Sequence, residues 1–232
     1  MLERLIDEEL GCILIKENVR ARRLTFHTRG DAIYVTVPCG TTMDEVKNVV
    51  HTLRHRLLLA KQKQIRPLID LNYRIEAEFF KLSLISGTGK QFLAHSGDGR
   101  MQIVCPPDTD FKDENLQTWL RKVIEQALRR NAKLILPIRL NELALIHGLS
   151  YQSVKINSSK GRWGSCSGSR SINLSCYMML LPLHLIDYVL LHELAHTREM
   201  NHGEKFWQFL DSLTECKGKE LREELKSYSI SI

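Results

Sequence analysis

The sequence has no apolar run approaching the roughly eighteen residues that a membrane-crossing helix needs. Its first ten residues, Met1 to Leu10, alternate charge with leucine where a secretory leader builds an apolar core. The expectation is a cytoplasmic protein without membrane contact. There is no Cys-x-x-Cys pair either. The six cysteines, Cys12, Cys39, Cys105, Cys166, Cys176 and Cys216, are scattered through a 232-residue chain that is long enough to fold without disulfide staples, so free thiols in a reducing compartment are expected. Glycine (13) and proline (6) are sparse and no residue type dominates, which excludes collagen-like, low-complexity and disordered classes. Charge bias is weak: 33 basic against 27 acidic residues leave +6, compatible with nucleic-acid contact without demanding it.

What is present is a 43% hydrophobic composition, enough for the core of one domain or two lobes. Two β-type runs, 19–28 and 32–37, flank the hairpin signal Arg29-Gly30-Asp31, and Pro38-Cys39-Gly40 ends the second. A helix over 43–64 follows, with Val46, Val49, Val50, Leu53 and Leu57 at helical spacing. Strand-like runs at 79–85, 91–95 and 101–105 repeat the pattern ahead of Pro106-Pro107-Asp108 and a helix carrying Leu116, Leu120, Val123, Ile124 and Leu128. An internal duplication and a chance recurrence of strand, proline turn and helix both account for this. The helix runs on, with a break at Pro137, and stops at Gly148. Strands at 153–157 and 171–176 enclose a Ser/Gly-rich turn, and a further helix covers 183–198.

Four of the nine histidines, His184, His192, His196 and His202, crowd into one short stretch. The helix over 183–198 is apolar on nearly every side and belongs in a core. There, two imidazoles and a carboxylate without partners cost several kcal/mol by the usual price of polar burial, about 2–7 kcal/mol per group. A metal ion removes the conflict. His192 and His196, four apart, lie one turn above the other as Zn²⁺ requires, and Glu193 stands beside that face, placed to act as a general base. A catalytic zinc takes a third protein ligand, and His202, Glu199 and Glu204 are the candidates. An unbroken helix would carry His202 out of reach. Asn201 and Gly203, which tolerate turn geometry, would swing it back before a new amphipathic helix with Phe206, Phe209, Leu210 and Leu213. His184, two turns earlier, reads as a core residue or as support for the site.

These residues resemble the YgjP-like zinc metallopeptidases, relatives of SprT-like and other zincin proteins. The resemblance rests on Arg162-Trp163-Gly164-Ser165-Cys166, the strand over 171–175, His192-Glu193-Leu194-Ala195-His196, Asn201-His202 and Phe206-Trp207. Weaker matches at Arg22-Arg23-Leu24-Thr25-Phe26 and Val37-Pro38-Cys39-Gly40-Thr41 extend it over most of the chain. It implies that His192, His196 and His202 hold zinc and that Glu193 is the catalytic base. Two departures stand out. Gly203 occupies a position where the family commonly has serine. The spacing from His192 to His202 equals that of metzincins, but Glu199 stands where they have glycine and no Met-turn follows.

The expected class is therefore α+β: a β-rich N-terminal lobe over 1–110 with one or two strand-strand-helix units, and a zincin-like lobe over 111–232 with a buried His-Glu-x-x-His helix. The expected function is hydrolysis of a protein or peptide substrate by a Zn²⁺-activated water, with Glu193 moving the proton. The turn at 162–166 could hold an extended peptide by strand addition, and Arg162 or Tyr177 could stabilise the oxyanion. A cysteine-protease reading of Cys166 leaves the histidine helix unexplained. The second class of function is a nucleic-acid-associated module, with a structural zinc or a DNA- or RNA-linked target. Its face would be built from Arg20, Arg22, Arg23, Arg29, Arg54, Arg56, Lys61, Lys63 and Arg66, residues that equally suit a solvated surface.

Overall fold

In the structure, a computed structural model describing residues 2–29, 32–62, 67–230 and 232, the leucine- and charge-bearing first residues form a strand. Strand β1 (Leu2–Asp7) pairs antiparallel with β2 (Gly11–Glu17), and β3 (Thr25–Arg29) with β4 (Ala32–Val37). The hairpins join through a parallel β2–β4 contact in the order β1-β2-β4-β3. Ile13, Ile15, Ile33, Val35 and Val37 share one core with Val46, Val50 and Leu57 of α1 (Met43–Gln62). Burial of each such side chain contributes roughly 1.5–3 kcal/mol. A capping box opens α1: Glu45 N–H donates to Thr42 Oγ1 at 3.3 Å, and Thr42 N–H to Glu45 Oε2 at 2.9 Å.

Asp7 holds the β1–β2 turn. Its Oδ1 accepts the Leu10 N–H at 2.9 Å and the Glu9 N–H at 3.1 Å, and its carboxylate pairs with Arg54 of α1. The Leu10 bond holds the carboxyl below its ordinary 3.8, with smaller help from Glu9 and Arg54 and against the opposing effect of burial. Because the folded value lies below the unfolded one, this contribution is complete well above 3.8 and is lost as pH falls through the folded value. Asp7→Asn is expected to cost about 1–2 kcal/mol at neutral pH, the worth of charge-assisted hydrogen bonds, and almost nothing in strong acid. Urea denaturation of both proteins across pH measures the difference, and a pH-independent gap would contradict the assignment.

By its internal contacts the chain divides into Met1–Pro67 with Ser231–Ile232, and Leu68–Ile230. The second unit opens with the same construction as the first. β5 (Arg74–Glu76), β6 (Lys81–Ser86), β7 (Leu93–Gly97) and β8 (Arg100–Cys105) lie in the order β5-β6-β8-β7, antiparallel hairpins joined by a parallel β6–β8 contact. Leu82, Leu84, Met101, Ile103 and Cys105 are buried where the first sheet buries Ile13, Ile15, Ile33, Val35 and Val37. Two connecting hydrogen bonds recur as well. Asn18 N–H donates to Val37 O at 2.9 Å and Gly87 N–H to Cys105 O at 2.8 Å; Thr41 Oγ1 donates to Pro38 O at 2.8 Å and Thr109 Oγ1 to Pro106 O at 2.6 Å. Strand order, pairing sense, burial and turn geometry agree together, which favours duplication of a four-strand-and-helix unit over chance. The strand-strand-helix repeat legible in the sequence is part of that unit.

Helix α2 (Glu114–Ile146), capped by Asp113, passes through Pro137 without ending. An interior proline costs about 3 kcal/mol, and the buried Leu136, Leu140 and Leu143 around it outweigh that cost, so the expected break is absent. α2 reaches the turn between β5 and β6, where Asn131 Nδ2 donates to Phe79 O, and grips the next helix through Arg139 and Asp187, two bonds of 2.7 Å each. That sheet therefore sits in the helical unit, and the division falls at Pro67 where the sequence reading places it at residue 110. β9 (Ser153–Asn157), β10 (Gly164–Cys166) and β11 (Ser171–Ser175) form a small sheet in the order β10-β11-β9, with β10 at one edge. A 3-10 turn over Cys176–Leu180 leads into α3 (Leu183–Ala195), α4 (Glu204–Leu213) and α5 (Gly218–Ser227). The class is α+β.

Gly30 and Asp31 of the expected hairpin turn, the expected helix end at 63–64, and Lys63 and Arg66 of the basic run lie outside the described residues. All six cysteines are free. Among the described residues no helix is long and apolar enough to cross a membrane.

Candidate metal centre

The near-continuous apolar surface of α3 buries it, and the Glu78 carboxylate satisfies its first turn by accepting the Leu183 N–H at 2.9 Å. The helix ends at Ala195, three residues before the expected 198, and Thr197 Oγ1 donates back to Leu194 O at 2.7 Å. The chain then turns to the start of α4, with Gly203 N–H donating to Asn201 O at 2.7 Å. Gly203 has φ −77° and ψ −176°, extended backbone open to any residue, and its Cβ position faces open space. The expected need for glycine's freedom at this turn is thus not met, and a serine would fit there.

The turn returns His202 to the face of α3. Its Nε2 lies 3.0 Å from His192 Nε2 and 3.2 Å from His196 Nε2. Three nitrogens about 2.0–2.1 Å from one tetrahedral ion stand roughly 3.3 Å apart, so the cluster has the dimensions of a zinc sphere. His196 Nδ1 donates to Glu199 O at 3.0 Å, which fixes the tautomer and leaves Nε2 with a free lone pair. Burial foremost, then the neighbouring histidines, pushes His192 down to about 3, and burial also lowers His196. Both are therefore neutral at physiological pH, as metal ligands must be. His192 Nδ1 is buried with no hydrogen-bond partner. The donor set, three imidazoles converging on one point, fits Zn²⁺.

Glu193 is 5% exposed and its Oε2 has no partner. Burial pushes its carboxyl up to about 8, opposed by Arg162. Edge strand β10 lies against it: a Cβ built on Gly164 would come within 2.6 Å of Glu193 Oε1. Arg162, exposed at the start of this segment, is near enough to act on the carboxylate.

Other residues of interest fall elsewhere. The Tyr177 hydroxyl is buried and donates to Glu125 Oε2 of α2 at 2.6 Å, which commits it to the interior instead of an oxyanion. Glu199 contributes its backbone carbonyl to His196, and Glu204 Oε1 accepts from Gln208, so neither carboxylate joins the three histidines. His184 is exposed and pairs with Glu224 of α5 at 2.8 Å, neither core nor support for the site. Burial first and Glu193 second push the Cys166 thiol up, the reverse of an activated nucleophile. Arg54 of the basic run is tied to Asp7 and Glu9.

Two aromatic residues escape a reading for chemistry alone. Phe206 underlies all three imidazoles, its ring centroid 4.5 to 5.0 Å from each and stacked on His196. Tyr188, one turn before His192, packs at 6.0 Å, and burial holds its phenol up at about 12. Helical spacing carries the signal for Tyr188, since 188 and 192 share a face, and Phe206 stands in the sequence only as part of the Phe206-Trp207 resemblance and of an amphipathic helix.

A family model described as YgjP-like, metallopeptidase domain, matches residues 22–228. No curated protein matches. Among solved structures the chain is similar to the crystal structure of the metallopeptidase zymogen of Methanocaldococcus jannaschii jannalysin. The identity is 26% over 40% of this chain and 97% of that chain, with a TM-score of 0.34.

Proposed function

Because the chain belongs to the YgjP-like metallopeptidase family, we propose that it is a zinc-dependent peptidase whose metal is held by His192, His196 and His202 and whose general base is Glu193. The convergence of the three Nε2 atoms at 3.0 and 3.2 Å supports this reading most directly. Among the described residues no fourth donor joins the group, which suits a site with an open position better than a closed structural one. When bound, zinc supplies Lewis acidity that makes water nucleophilic near neutral pH. In its ionised form, which a bound cation would favour, Glu193 Oε2 takes the proton of the attacking water and later delivers it to the leaving amine nitrogen. Phe206 and Tyr188 pack against the imidazoles and hold their rings in place. The outer edge of β10, beside Glu193, is the place for an extended substrate to add as a strand, with Arg162 near its carbonyl.

Purified protein should carry one zinc per chain by elemental analysis and should cleave an unfolded probe such as casein. Chelation should abolish cleavage and zinc should restore it. His202→Ala should weaken zinc by more than about 100-fold, since changes outside the ligand shell alone cost 10–100-fold. Metal-free protein that cleaves casein undiminished would overturn the proposal.

A further inference from the structure

We propose that the groove between edge strand β3 and helix α1 is a docking site for an extended, acidic polypeptide segment, taken up by strand addition. The groove, about 630 Å³, lies wholly within the first unit and is separate from the histidine cluster. A sheet edge is a template for another strand unless something covers or blunts it. Here the edge is followed by an apolar floor, Phe26, Val49, Leu53 and Leu57, and by a basic rim, Arg23 and Arg56. Among the described residues no acidic side chain lines it.

The rim charges are available. Arg54, two positions from Arg56 on α1, is held by Asp7 and Glu9, but among the described residues neither Arg23 nor Arg56 has a carboxylate partner. The repeat supplies a contrast. In the second unit the Phe92 and Trp119 rings, 5.1 Å apart, tie the start of edge strand β7 to α2. In the first, Leu24 stands before the edge strand and lines an open groove. A strand bound beside β3 would present alternate side chains to the floor, while acidic residues would meet the arginines. Among the described residues two arginines rim a narrow apolar floor, which suits a polypeptide better than a nucleic acid, since that needs several cations spaced along phosphates.

The test is fluorescence anisotropy of a labelled octapeptide of alternating valine and glutamate with the full-length protein. A valine–lysine octapeptide and oligothymidylate serve as comparisons. The acidic peptide should bind best, and Arg23→Glu with Arg56→Glu should weaken it at least about tenfold, or 1.4 kcal/mol. Chelating the metal should leave binding unchanged, which separates this site from the histidine cluster, and amide exchange along β3 should slow when peptide is bound. The double lysine variant, Arg23→Lys with Arg56→Lys, should retain binding and so exclude misfolding. Absence of binding, binding indifferent to the arginine pair, or tighter arginine-dependent binding of oligothymidylate would overturn the proposal, the last in favour of nucleic acid.

Discussion

Glu193→Gln is expected to keep one zinc per chain and to lose casein hydrolysis by about 10³-fold, within the usual worth of a positioned general base. The substitution leaves the three imidazoles in place and preserves the side-chain length that packs beneath Gly164. It removes only the ability to take a proton. Retained zinc with full hydrolysis would remove Glu193 from the mechanism. A second measurement needs no substrate. In metal-free protein the folded Glu193 carboxyl titrates at about 8 against an ordinary 4.5, so between these values the native state holds a proton that the unfolded chain has released. Stability then falls as pH rises through that window. Metal-free Glu193→Gln lacks this loss, so it should melt higher than wild type above pH 8 and draw level toward 4.5. The histidine titrations are shared by both proteins and cancel in the comparison.

The histidine helix was legible because it sets two rules against each other. Apolar residues on nearly every side demand burial, and two histidines and a glutamate in the same segment forbid it unless a metal intervenes. The third histidine of the cluster was less visible. Spacing alone left His202, Glu199 and Glu204 open, and only the end of α3 at Ala195 decides how the chain returns. Strand β1 was hidden because Ile6 is exposed and its apolar residues do not alternate, β2 because Cys12 to Ile15 is apolar throughout, and β10 because it has three residues and no period to read. The direction of Tyr177 depends on Glu125, a residue on another element, and no local pattern encodes that pairing. The duplication showed in the sequence as a shared proline turn. The first hairpin of each unit carries too little sequence likeness to reveal that the whole sheet repeats.

Gly164→Ala should damage the site without touching a ligand. The added Cβ would stand 2.6 Å from Glu193 Oε1, 2.7 Å from Cγ and 2.9 Å from Cδ, all closer than real Cβ atoms approach. Gly164 is not in the left-handed region, so glycine is needed here for space and not for backbone freedom. Either β10 lifts or Glu193 turns away. Overpacking of this kind costs about 1–3 kcal/mol, which corresponds to a melting temperature lower by several degrees in a chain of this size. Hydrolysis should fall by about 10²-fold, as a small misplacement of a catalytic group commonly does, while zinc content stays at one per chain. The rescue distinguishes contact from general damage. Glu193→Asp shortens the side chain by one methylene and vacates the space that the alanine needs, so the double variant should melt above Gly164→Ala alone. Equal destabilisation by Gly164→Ala in the glutamate and aspartate backgrounds would show that the glycine serves β10 itself and not the carboxylate beneath it.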